Sequence, residues 1–128
     1  MYALRFPVSE PDAAGAAFET LKKNPEDFMR GSYTFGSYLL INVCEIPVFG
    51  TVIERLYVLR HDDGAVLYDA LEAVRDFDGY NFANLSVYDV KTDEQGNLLF
   101  ACMSDKKNGN FLVEAESGKA RLLSEYDR

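Results

Sequence analysis

Residues 85–124, LSVYDVKTDEQGNLLFACMSDKKNGNFLVEAESGKARLLS, decide the fold. Four apolar segments, Leu85–Thr92, Asn97–Met103, Asn110–Ala115 and Lys119–Ser124, alternate with three short polar connections. The connections are Asp93-Glu94-Gln95-Gly96, Asp105-Lys106-Lys107-Asn108-Gly109 and Glu116-Ser117-Gly118. They are too short for a crossover, and each carries a glycine after polar residues, as tight antiparallel hairpins require. The stretch therefore reads as an antiparallel meander.

In its rhythm this stretch resembles a single four-stranded blade of a β-propeller. A propeller closes only with at least about four blades, more than 128 residues can supply, so the meander belongs to one small domain. Upstream, the ten residues TVIERLYVLR at 51–60 and the segment Ala65–Tyr68 read as a second hairpin, turned by His61-Asp62-Asp63-Gly64. Tyr33–Glu45 contains the apolar run Tyr38–Cys44, long enough for a strand buried on both faces or for an interface. Between the hairpins and the meander, Asp69 and Glu72 form a capping-box pattern. Leu71, Val74 and Phe77 recur at helical spacing and Gly79 suits the end, which predicts a short helix over 69–79.

At the start of the chain, residues 2–8 read as a short strand stopped by Pro7. Ser9-Glu10-Pro11-Asp12 is a helix start, Ala14, Ala17, Phe18 and Leu21 form one apolar stripe, and Asn24-Pro25 ends it. Pro25 to Arg30, closed by Gly31, reads as a second helical turn. The fold class is thus α+β: an antiparallel sheet of about six to seven strands with a C-terminal meander. An N-terminal helix and a short mid-chain helix pack on it, within a single domain over 1–128.

Composition narrows the function. Thirteen basic and 21 acidic side chains leave a net charge of −8. Residues 61–94 hold nine acids against Arg75 and Lys91, a balance of −7 within one segment. That disfavours nucleic-acid phosphates, which need a basic footprint, and favours a basic protein partner. No apolar run reaches the ~20 residues of a membrane helix, and the N-terminus lacks the basic and apolar regions of a signal peptide. The chain reads as a cytoplasmic protein with no membrane association. Cys44 and Cys102 lie in separate apolar segments without metal-ligand or redox spacing, and read as reduced core thiols.

Catalytic signals are weak. His61 is the single histidine, and its HDDG context reads as a hairpin tip ahead of a general acid–base site. Asp76-Phe77-Asp78-Gly79 fails the EF-hand register, because alignment on Gly79 puts Val74 first and Leu85 twelfth. No catalytic residue, metal site or cofactor is assigned. Three functions remain, in this order. The first is an interaction or regulatory module that binds a basic partner through Asp62, Asp63, Asp76, Asp78, Asp93 and Glu94. The second is a small-molecule binder whose curved sheet encloses an apolar cavity lined by Tyr38, Tyr57, Tyr68 and Tyr88. The third is an enzyme using carboxylates or His61. A homodimer covering open strand edges is compatible with all three.

Overall fold

A computed structural model describes residues 10–46, 53–81 and 84–127. Helix α1 (Glu10–Leu21) precedes four strands: β1 (Phe28–Phe35), β2 (Tyr38–Glu45), β3 (Ile53–Arg60) and β4 (Val66–Asp69). After helix α2 (Ala70–Val74) come β5 (Ser86–Thr92), β6 (Leu98–Met103), β7 (Lys107–Val113) and β8 (Ala120–Asp127). The strands form two antiparallel meanders, β1-β2-β3-β4 and β5-β6-β7-β8. The α+β class and the C-terminal meander stand as read from the sequence. The strand count and the single sheet do not, since the described residues build eight strands in two sheets.

Two local readings account for the extra strand. The segment 25–31 is no helical turn: Phe28 opens β1, and a bulge between Met29 and Gly31 breaks the alternation that would have marked it. Tyr33–Glu45 is two strands joined by the two-residue turn Gly36-Ser37, with Gly36 at φ 57° and Phe35 opposite Tyr38. The mid-chain helix is also shorter than expected. Asp69 caps it, its Oδ1 accepting from the Leu71 N–H at 3.0 Å, but the helix closes at Arg75 and Gly79 belongs to the following turn. The strand expected at residues 2–8 lies outside the described residues.

Side-chain alternation in β2 and β3 sends each set of residues to a different layer. Leu39, Ile41, Val43 and Leu59 face α1 and pack on Ala14, Ala17, Phe18 and Leu21. Leu40, Leu56 and Val58 face the other way, into a core shared with α2 and with Leu98, Phe100, Cys102, Phe111 and Val113 of the second sheet. The layer order is therefore helix, first sheet, second sheet. The β2 run is core on both faces, not a surface for another chain. Both cysteines are buried free thiols, as read from the sequence. Burial pushes Cys44 and Cys102 above the ordinary thiol value, with the Glu54 charge adding to it, so both stay protonated.

One close contact joins the layers near α2. Tyr80 is fully buried, its ring edge-on to Phe111 at 5.0 Å, and its hydroxyl passes over Gly109 to donate to Glu125 Oε2 at 3.0 Å. A Cβ on Gly109 would sit 2.2 Å from that hydroxyl. Gly109→Ala is expected to lower the unfolding free energy by about 2–4 kcal/mol, through overpacking and a displaced buried phenol. Urea denaturation checks this, and an unchanged midpoint would show that the phenol moves aside freely.

Candidate functional site

The strongest concentration of polar groups lies at one end of the two sheets, where the β3–β4, β5–β6 and β7–β8 turns meet. In the first turn, Gly64 takes φ 71° and Asp63 Oδ1 accepts from the Ala65 N–H at 3.0 Å. In the second, Asp93 Oδ1 accepts from the N–H groups of Gln95 and Asn97, both at 2.9 Å, and Gly96 has φ 84°. In the third, the Gly118 N–H donates to the Glu114 carbonyl at 2.8 Å. Aspartate and glycine are thus placed by hairpin chemistry. The charge they carry gathers at this end as a consequence.

A clamp fastens the third turn to the first sheet. The Tyr68 hydroxyl donates to the carbonyls of Ala115 at 2.7 Å and Glu114 at 3.1 Å, and its ring lies against Gly118. The Tyr38 hydroxyl donates to Glu116 Oε2 at 2.5 Å, and the Arg60 guanidinium pairs with Glu116 Oε1. Tyr38 faces Arg60 across β2 and β3, so one carboxylate from the second sheet engages two neighbouring strands of the first. Beside the clamp opens a cleft of about 820 Å³. Tyr38, Gln95, Asn97, Glu114, Glu116 and Ser117 line it, with Lys119 and Arg121 on the wall formed by β8 and its turn.

The acids singled out from the sequence divide between the two ends. Asp62, Asp63, Asp93 and Glu94 sit at the clamp end. Asp76 and Asp78 lie at the other, because Arg75 reaches the Glu54 carbonyl at 2.6 Å and Ser104 Oγ donates to the Gly79 carbonyl at 2.7 Å. The tyrosines divide as well. Tyr38 and Tyr68 join in the clamp, whereas Tyr57 packs on the α1 side of the first sheet and Tyr88 is exposed on the outer face of the second. The His61 N–H donates to the Ser37 carbonyl, and its Nε2 is buried without a hydrogen-bond partner, so no carboxylate orients the ring for proton transfer. Among the described residues, no group of three or more His, Cys, Asp and Glu side chains is placed to hold a metal ion.

A second polar cluster lies inside the protein. Glu54, 2% exposed, shares a face of β3 with Leu56 and Val58. Its Oε2 accepts from Arg30 Nη1 at 2.5 Å, and its Oε1 accepts from Asn42 Nδ2 at 3.4 Å and from the Val87 N–H of β5 at 3.2 Å. Nearby, Asp69 accepts from the Leu56 N–H at 2.8 Å and lies 3.5 Å from Arg55 and 3.7 Å from Arg75. A smaller cleft, about 340 Å³, opens over Phe28, Arg30, Cys44 and Glu54. The sequence carried one signal of this cluster, since strict alternation in β3 sets Glu54 among apolar neighbours.

No protein-family model matches the chain, and no curated protein matches it. Among solved structures, the C-terminal domain of YpeB from Bacillus megaterium is similar over 91% of this chain at 15% sequence identity, with a TM-score of 0.37. The chain spans 66% of that structure's length. No described helix is long and apolar enough to cross a membrane.

The clamp predicts a titration. Hydrogen bonds from Tyr38 and then Arg60 hold Glu116 below its ordinary carboxylate value of 4.5. A depressed folded value means that this contribution to stability is complete above the unfolded value and is lost as pH falls through the folded one. NMR titration should place the Glu116 midpoint below 4.5 in the native protein, and Tyr38→Phe should raise it. A midpoint unmoved by that substitution would mean that the hydroxyl does not engage the carboxylate in solution.

Proposed function

We propose that this protein is an interaction module that binds a basic protein segment at the clamp end. The supporting observation is the cleft between the turns, bounded by both sheets and flanked by uncompensated acids. Six acids (Asp62, Asp63, Asp93, Glu94, Glu114 and Glu116) gather at that end against Arg60, Lys91, Lys119 and Arg121. Arg60 is already neutralised by Glu116. Asp62 and Glu94 are exposed and have no ion-pair partner among the described residues, so their field is directed to solvent. An extended lysine- or arginine-bearing segment fits this arrangement. Its side chains would reach Asp62, Asp63 and Glu94 at the rim, and the hydroxyl and amide groups of Ser117, Gln95 and Asn97 would meet its backbone.

The clamp matters to this reading because it makes the cleft rigid. Four hydrogen bonds from Tyr38, Arg60 and Tyr68 fix the third turn against the first sheet, so little conformational entropy remains to be lost when a partner docks. Asp76 and Asp78, at the opposite end, are too distant to act in the same contact. Their charges act on the partner only through the long-range field.

Binding of a lysine-rich peptide, followed by fluorescence anisotropy against ionic strength, tests the proposal. Neutralising Asp62, Asp63 and Glu94 together should weaken binding roughly 10-fold or more at low salt and flatten its salt dependence. Neutralising Asp76 and Asp78 should change affinity by no more than about 2-fold. Equal losses from the two sets would overturn the assignment of the site.

A further inference from the structure

The outer face of the second sheet has no layer over it among the described residues, whereas α1 covers the outer face of the first. Strand register arranges this bare face in three rows. Lys91, Leu99, Leu112 and Arg121 form one, Tyr88, Ala101, Asn110 and Ser124 the middle one, and Ser86, Met103, Asn108 and Tyr126 the third. Leu123 bulges out beside the middle row. Tyr126 is 61% exposed, Leu123 48% and Tyr88 40%, which makes this face the largest gathering of exposed apolar side chains described.

We infer that this face is a homodimer interface, occupied by the same face of a second copy. Its charge is the first reason. The chain carries −8 overall, yet the face holds Lys91 and Arg121 against Asp89, so two copies approach here without the repulsion the rest of the surface imposes. Asp89 lies near Lys91, at 4.0 Å, and Arg121 has no ion-pair or hydrogen-bond partner among the described residues.

The row pattern selects one orientation. A two-fold axis parallel to the strands would set Lys91 over the partner's Arg121, placing like charges together. An axis crossing the strands through the middle row sets Arg121 over the partner's Tyr126 and Leu99 over the partner's Met103. The first contact is a cation–π pair and the second an apolar one. Ala101, small and on the axis, lets the two sheets approach to normal packing distance.

The area lies at the low end for a specific contact. Four strands about 4.8 Å apart, over six residues at about 3.3 Å each, give roughly 400 Å² in plan per copy. Two copies bury about 800 Å² before side-chain relief is counted, close to the ~1,000 Å² at which specific interfaces begin.

Sedimentation equilibrium of the full chain, from about 10 μM to 1 mM, tests the inference over the concentrations such an interface requires. The expected result is a concentration-dependent rise to twice the 14.4 kDa chain mass. Leu123→Lys should abolish the rise and Arg121→Glu should raise the dissociation constant at least 10-fold. Both residues are exposed, so circular dichroism should show an unchanged fold, while Glu26→Gln, at an exposed position away from this face, should leave association unchanged. A wild-type chain that stays monomeric at 1 mM would overturn the interface, as would a dimer equally tight in Leu123→Lys.

Discussion

A carboxylate buried between two sheets constrains the whole molecule. Placing Glu54 in the interior costs several kcal/mol of lost hydration unless its oxygens are paired. The two sheets and the edge strand β1 pair them together. Arg30 comes from β1, Asn42 from β2 and the Val87 N–H from β5, so the acceptors are satisfied only when both sheets are in place. Arg75, held by the chain that leaves α2, bonds the Glu54 carbonyl. The same residue thus fixes where the linker after α2 must run, and with it the start of the second sheet.

From that anchor the two ends of the molecule take different characters. At the end near Glu54, Arg75, Ser104 and Lys107 are engaged with Asp69, Gly79 and Glu125. At the far end no described residue places a buried ion between the sheets, and the Tyr38–Glu116–Arg60 clamp fastens them at the surface. The turn aspartates there satisfy backbone N–H groups while keeping their negative charge, so the means of making tight hairpins also builds an acidic rim. Binding a cationic partner at that rim asks for no new structural element.

Much of this was legible in the sequence. Gly96 and Gly118 marked two turns of the second meander, whereas Gly109, read as the glycine of a turn over 105–109, lies inside β7, which begins at Lys107. The β3–β4 hairpin was marked by HDDG and its β-branched flanks. The α1 stripe Ala14, Ala17, Phe18 and Leu21 is the buried side of that helix. What escaped was non-local. The bulge at Met29–Gly31 hid β1 from a period-two reading. Nothing local states that β4 and β5 do not pair, because that depends on α2 and the turn after it packing between the sheets. Glu54, Asn42 and Arg30 are distant in sequence and meet only through strand register. The grouping of candidate acids failed for the same reason: Asp76 and Asp78 are near Asp62 and Asp63 in sequence, but β4 and α2 carry the chain to the opposite end.

A double-mutant cycle on Arg30 and Glu54, read by urea unfolding, tests the anchor most directly. If Glu54 joins the sheets through paired hydrogen bonds, Arg30→Ala and Glu54→Ala will each destabilise the fold. Their coupling should then be about 1–3 kcal/mol. Strictly additive losses would show that Glu54 is held by something other than this network, and would contradict the account.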